Sequence, residues 1–188
     1  MNKITHQVFH HSGDSSKEDQ FEKIKAYHIS KGWGDIGYPY VIERSGDIIE
    51  GRPLDIRGAH CVNSGAISDL SGLPYNTING ISIGYCLAGD FTQEKPTQAQ
   101  IRALHDLSFM HQLQFGIPDE HRFLHRELKA TSCPGVDLRA LVDQYHIEYL
   151  KKRLKSAKKA VGWANPLRRA MLLRFIARIK NILFPITQ

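Results

Sequence analysis

Thr5–His10, with the large apolar Val8 and Phe9 among polar residues, predicts a strand that ends at His10-His11-Ser12. Ser15-Ser16-Lys17-Glu18 then has the form of a capping box and predicts a helix start, with Phe21, Ile24, Tyr27 and His28 recurring at helical spacing up to a stop at Gly32. Tyr38–Arg44 and Ile48–Gly51 predict two strands joined by a tight turn at Ser45-Gly46-Asp47. Ile81–Ala88 has few charges and several β-branched members, the signature of a buried central strand. Residues 59–80, rich in Gly, Ser and Asn, predict a long loop of the kind that carries function or motion. Thr97-Gln98-Ala99-Gln100 is a second capping box and opens a helix whose stripe includes Ile101, Leu104, Leu107 and Leu113. A short strand at Phe123–His125 and a helix from Val136 to about Leu150 follow. Strands and helices interleave without an internal repeat, so the expected class is α/β (α+β), a mostly buried mixed sheet flanked by helices.

Composition divides this picture in two. The 188 residues and ordinary apolar and charged fractions allow one substantial core and exclude collagen, coiled coil and wholesale disorder. Residues 151–188 carry eleven Lys and Arg and no acidic residue, whereas residues 1–150 carry fourteen basic against nineteen acidic side chains. The expected organisation is therefore a domain over 1–150 and a basic helical tail over 151–188. Lys151 to Lys159 continue the preceding helix as a basic face, and Pro166 favours a new helix with Leu172, Phe175, Ile176, Ile179 and Leu183 on one side. Two readings of that stripe stand: it packs on the body, or it lies in a membrane interface and is drawn there by anionic lipid or lipopolysaccharide. Nucleic acid is eligible on charge, but stacking aromatics are sparse in the tail. Arg174, Arg178 and Lys180 interrupt Met171–Phe184, so no membrane-spanning helix is expected. The first residues lack the apolar stretch of a secretory signal, which predicts synthesis in the cytoplasm. Three cysteines do not suggest a disulfide framework.

Candidate chemistry centres on His10 at a strand end, with His125 and Cys133 eight residues apart before a Gly-bearing turn. Two imidazoles and a thiolate would leave a fourth position on zinc for water, the mark of a catalytic rather than a structural site. Residue type alone does not select them, because the chain has ten His and Cys is often a small buried hydrophobe.

The order and wording of five segments narrow the choice. Val8-Phe9-His10-His11-Ser12, then Gly32 to Ile42, then Glu50-Gly51-Arg52 with Gly58-Ala59-His60, then Asn79 to Gly84, and finally His125-Arg126-Glu127 through Thr131-Ser132-Cys133-Pro134-Gly135 together resemble the type-2 N-acetylmuramoyl-L-alanine amidase family. That group holds phage lysozymes of amidase type and animal peptidoglycan-recognition proteins. The resemblance covers roughly residues 6–148 and implies hydrolysis of the amide between N-acetylmuramic acid and L-alanine in peptidoglycan. It implies that His10, His125 and Cys133 hold one zinc ion and that Tyr38 lies beside the metal as oxyanion donor. Thr131 occupies a position where the family has Lys or Thr, and His60 and Asn79 are expected in the substrate groove. His11, next to a ligand on a strand, should point to the opposite face. Cys61 and Cys86 are expected to be buried or incidental.

Val62–Tyr75 is longer than the family's corresponding loop, and beyond Leu150 the resemblance ends. The leading reading is a lytic amidase of phage or prophage origin acting on the cell wall. One alternative is a cytoplasmic amidase recycling anhydro-muropeptides, a branch that usually has Asp where this chain has Cys133. The other is a non-catalytic peptidoglycan-binding or regulatory module, whose members commonly lose that Cys.

Overall fold

The computed structural model describes residues 3–61 and 75–183. The chain order is β1 (His6–His11), α1 (Phe21–Ser30), β2 (Tyr40–Ile42), β3 (Ile48–Glu50), α2 (Tyr75–Ile81), β4 (Ser82–Leu87), α3 (Gln98–Phe115), β5 (Arg122–Leu124), α4 (His125–Leu128), α5 (Leu138–Val161) and α6 (Pro166–Leu183), with a 3-10 turn at Asp119–His121. The sheet runs β3-β2-β4-β1-β5, so the apolar run read as a central strand is central. It pairs in parallel with β1 and β2, β5 joins β1 in parallel, and β3 closes the edge as an antiparallel hairpin with β2. This is the mixed sheet with flanking helices that the pattern predicts.

Pleat alternation sorts β1 into two faces. Gln7 and Phe9 serve the face that carries α3, where Gln7 donates to the Ser108 carbonyl and to the Tyr85 hydroxyl, and Tyr85 meets His111 at 2.8 Å. Val8 belongs to the other face and packs with Cys61, Ile78, Phe123 and Leu128. His10 follows Val8 on that face, in register with Cys86 of β4, which pairs in turn with Val41 of β2.

The two predicted capping boxes have different outcomes. At α3 the Thr97 hydroxyl accepts from the Gln100 amide and the Gln100 side chain accepts from Thr97, and Gly116 ends the helix in the left-handed region. At α1 the Ser15–Glu18 box is not used. The helix starts later, behind Gln20, and the buried Glu43 carboxylate accepts both the Gln20 and Phe21 amides at 2.9 and 2.7 Å. A carboxylate brought by the sheet displaces the local cap because charge-assisted bonds to two free amides outweigh one neutral hydroxyl bond. The other departure lies in residues 59–80, which contain helix α2 despite Thr, Asn and Gly in its sequence. Residues 62–74, nearly all of the long-loop segment Val62–Tyr75, lie outside the described residues.

Contacts divide the chain into two units that meet between Val142 and Asp143. In the second, Leu150, Leu154 and Ala157 of α5 pack with Ile176 and Ile179 of α6, and Leu172 and Leu183 join them. Of the tail's apolar stripe, Ile176 and Ile179 are buried and Leu172 and Leu183 partly buried within a helical hairpin, while Phe175 stays exposed. Asn165 caps α6 by accepting the Arg168 amide, with Pro166 at the first helical position as expected. Trp163, Leu167 and Met171 stay exposed, at 90%, 76% and 66%. No described helix is long and apolar enough to cross a membrane.

Candidate metal centre

Three chain segments deliver ligands to one point. His10 stands near the C-terminal end of β1 and is fully buried. His125 follows β5 as the first residue of α4. The Glu127 carboxylate accepts the Leu124 amide at 2.8 Å and is held by Arg139, which locks the strand-to-helix corner. Cys133 lies in the loop after α4, tied back by the Arg126 amide on its carbonyl. Gly135 turns that loop with φ 83°, and its place against the Phe91 backbone has no room for a side chain.

One donor atom from each of His10, His125 and Cys133 lies within 4.8 Å of the others. Cys133 Sγ is 3.9 Å from His10 Nδ1, and the two imidazole centroids are 4.4 Å apart. Tetrahedral zinc with bonds of about 2.0 to 2.3 Å needs donor separations of roughly 3.3 to 3.6 Å, so the Cys133–His10 pair is within a few tenths of an ångström of that spacing and the set as a whole, within 4.8 Å, contracts by at most about 1.5 Å. His125 Nε2 is buried with no hydrogen-bond partner, a polar atom that would be costly to leave without a cation. The donor set therefore fits a zinc ion.

Electrostatics favour the neutral rings. Burial first, then the adjacent His125, His60 and His11, holds His10 well below the usual histidine range. Burial, with Lys129 and His11 adding to it, brings His125 to about 4. Cys133 moves the other way, pushed up to about 12 by burial although the His11 amide donates to its sulfur at 3.4 Å. A divalent cation reverses that penalty and favours the thiolate. His11 itself faces away, accepting the Phe91 amide at 3.0 Å, as pleat alternation requires.

Tyr38 is half-buried with its ring 5.2 Å from that of His10. Burial, and then the thiols of Cys86, Cys133 and Cys61, raise its phenol well above the ordinary value, so it stays a proton donor. Arg52, which the sequence marks only as part of Glu50-Gly51-Arg52, seats it. Arg52 donates to the carbonyls of Trp33, Asp35, Ile36 and Arg57, stapling the segment before Tyr38, while its own amide bonds the Tyr38 carbonyl. Gly51 lies against that carbonyl too closely for a side chain.

The remaining predicted residues occupy distinct places. The Thr131 hydroxyl accepts the Cys133 amide at 3.2 Å and so shapes the ligand loop. Asn79 is buried, and its side-chain oxygen accepts the amides of both His60 and Cys61. His60 is buried with Nδ1 3.1 Å from His10 Nε2. Cys61, expected to be buried or incidental, is buried and forms a second trio within ligand distance together with His10 and His60.

Comparison with known proteins identifies the family. A family model described as N-acetylmuramoyl-L-alanine amidase matches residues 1–136. Peptidoglycan-recognition protein SC2 of Drosophila melanogaster is 32% identical over 148 residues, covering 73% of this chain and 71% of that protein. The endolysin of Enterobacteria phage K11 is 27% identical over 125 residues, covering 64% and 72%. Among solved structures, N-acetylmuramoyl-L-alanine amidase LysC from Clostridium intestinale superposes with a TM-score of 0.62 at 26% identity, covering 77% of this chain and 87% of that one. With a two-histidine, one-cysteine donor set on a mixed sheet and a family match over most of its length, the chain belongs to the type-2 N-acetylmuramoyl-L-alanine amidase family.

Proposed function

We propose that this protein is a zinc-dependent amidase that hydrolyses the bond between N-acetylmuramic acid and L-alanine in peptidoglycan, acting on the cell wall as a phage or prophage endolysin. The observation that carries the reading is the convergence of His10, His125 and Cys133 from three separate segments. Such a set leaves a ligand position open for water. Zinc bound there supplies a Lewis acid and a water of lowered pKa.

The chain's own residues account for the rest. His10 and His125 enter as neutral imidazoles because burial keeps them unprotonated. Tyr38, held protonated by burial, donates a hydrogen bond to the carbonyl oxygen as negative charge develops on it, a contribution of about 3 kcal/mol for comparable donors. Thr131 supports Cys133 from the loop. Water adds to the carbonyl carbon and the C–N bond breaks. The leaving amine takes a proton, giving a free lactyl carboxyl on the muramic acid and a free L-alanine amino group on the peptide. The cysteine at position 133 favours this reading over a recycling amidase and over a non-catalytic module.

The amidase chemistry is assigned to residues 1–150 and a surface role to 151–188. Exposed Trp163, Leu167 and Met171, in a segment whose charges are all basic, support contact with anionic membrane or lipopolysaccharide. The enzymatic reading is tested by following solubilisation of purified sacculi with zinc-loaded protein, chelator-treated protein and His125→Ala. Loss of activity in the last two is expected. Full activity in metal-free protein would refute the mechanism.

A further inference from the structure

His60 and Ser82 form, with His10, a line of hydrogen bonds in which every proton position follows from its far end. The Ile78 carbonyl in the last turn of α2 can only accept. The Ser82 hydroxyl lies 2.6 Å from it and must donate there. Ser82 Oγ is then left as acceptor for His60 Nε2 at 3.4 Å, so Nε2 carries the proton of that ring. The Ser82 backbone also engages this ring in the sense that favours a proton on it. His60 is buried, and the polar atoms beside its ring are Ser82 Oγ, Cys61 Sγ and His10 Nε2, with no carboxylate among them, so a ring with its proton on Nε2 presents a lone pair at Nδ1. That lone pair faces His10 Nε2 at 3.1 Å and accepts its proton. Of the two His10 nitrogens, only Nδ1, on the side of Cys133, is left unprotonated.

The opposite direction is disfavoured on the same distances. If His60 Nδ1 donated to His10, the Nε2 lone pair would face the Ser82 oxygen, whose proton is committed to the Ile78 carbonyl 2.6 Å away. The fold also makes a seat for His60. A Cβ on Gly84 would come within 2.6 Å of the His60 ring and one on Gly58 within 2.8 Å, while Asn79 pins the His60 amide.

We infer that His60 is a positioning residue, anchored through Ser82 on the Ile78 carbonyl, that fixes the tautomer of His10 so that Nδ1 is offered to the metal. The inference rests on the zinc reading above and deepens it. It also decides between the two trios of potential ligands, because a proton rather than a second ion bridges His10 and His60. The Cys61 thiol, 3.4 Å from the same His60 nitrogen, remains a buried neighbour.

The test combines zinc affinity, measured by chelator competition, with long-range nitrogen–proton NMR of the histidines. In wild-type protein, with or without zinc, His10 should carry its proton on Nε2. His60→Leu removes the acceptor and should weaken zinc binding about 10- to 100-fold, as losses of comparable partners do. His60→Asn places an amide oxygen near the position of Nδ1 and should restore most of the affinity. Ser82→Ala, a smaller change that preserves folding if His60→Leu does not, should weaken binding in the same direction. A folded His60→Leu protein with unchanged affinity would overturn the inference, as would a His10 proton on Nδ1. So would a second zinc equivalent that Cys61→Ala abolishes. Wild-type protein that binds no zinc would instead refute the parent reading, and the His10 tautomer would still report on the relay.

Discussion

Zinc binding should displace one proton per ion at pH 6, and that proton should come from Cys133. At this pH the two histidines have none to give, since His125 sits at about 4 and His10 is held well below its usual range. The Cys133 thiol is pushed up to about 12, so at pH 6 its thiolate fraction is on the order of 10⁻⁶. Deprotonating it costs about 8 kcal/mol, an amount the ion must offset from its binding free energy. Working below about pH 7 avoids a second proton from zinc-bound water. Calorimetric titration in two buffers of different ionisation enthalpy reads the proton directly. The apparent binding constant should rise about tenfold per pH unit between pH 5 and 6.5. Cys133→Ser should bind more weakly and release no proton. Zero release in wild-type protein, or equal release in the serine variant, would contradict the assignment of the thiolate as ligand.

Other outcomes follow from the same geometry. Tyr38→Phe should retain zinc and lose about 10²- to 10³-fold in kcat against peptidoglycan, as expected for a lost oxyanion donor. Unchanged kcat would remove Tyr38 from the chemistry. Metal-free protein should lose thermal stability as pH falls from 6.5 toward 4. His6, His28, His111 and His125 titrate at about 4 when folded but at 6.5 when unfolded, so the unfolded chain binds more protons across that window. A flat Tm profile there would contradict the burial argument. Arg52→Ala should lower activity more than it lowers zinc affinity, because its four carbonyl contacts seat Tyr38 rather than the ligands. Joint substitution of Trp163, Leu167 and Met171 by Ser should weaken binding to anionic vesicles while leaving hydrolysis of purified sacculi intact. Equal vesicle binding would exclude these residues from the contact.

What the sequence reveals here depends on whether the signal is local. The strand at β1, the β2–β3 hairpin, the central apolar strand and the Thr97 capping box are short-range patterns that appear in the fold, although β1 is buried on both faces rather than one. The α1 cap was misread because the group that satisfies its amides, Glu43, arrives from a distant strand that no local motif announces. Helix α2 was missed for a related reason, since its own residues are poor helix formers and it is stabilised by packing, with Ile78 in the core. At the site, residue types and motif order selected His10, His125 and Cys133, and the fold brings them together. His60 and Asn79 are expected from sequence in the substrate groove, and their contacts in the fold are not announced by any local pattern. Only three-dimensional distances place the first against His10 and the second on the loop backbone. The tail stripe was ambiguous in sequence because a helix face that packs and one that binds lipid share the same periodicity.

Whether zinc held by His10, His125 and Cys133 cuts the muramyl–alanine amide is decided by mass spectrometry of sacculi digested by zinc-loaded protein. Peptides with a new amino-terminal L-alanine and glycan strands whose muramic acid bears a free lactyl carboxyl are expected, with neither formed by His125→Ala. New reducing sugar ends, cleavage within the stem peptide, or the same products from metal-free protein would contradict this mechanism.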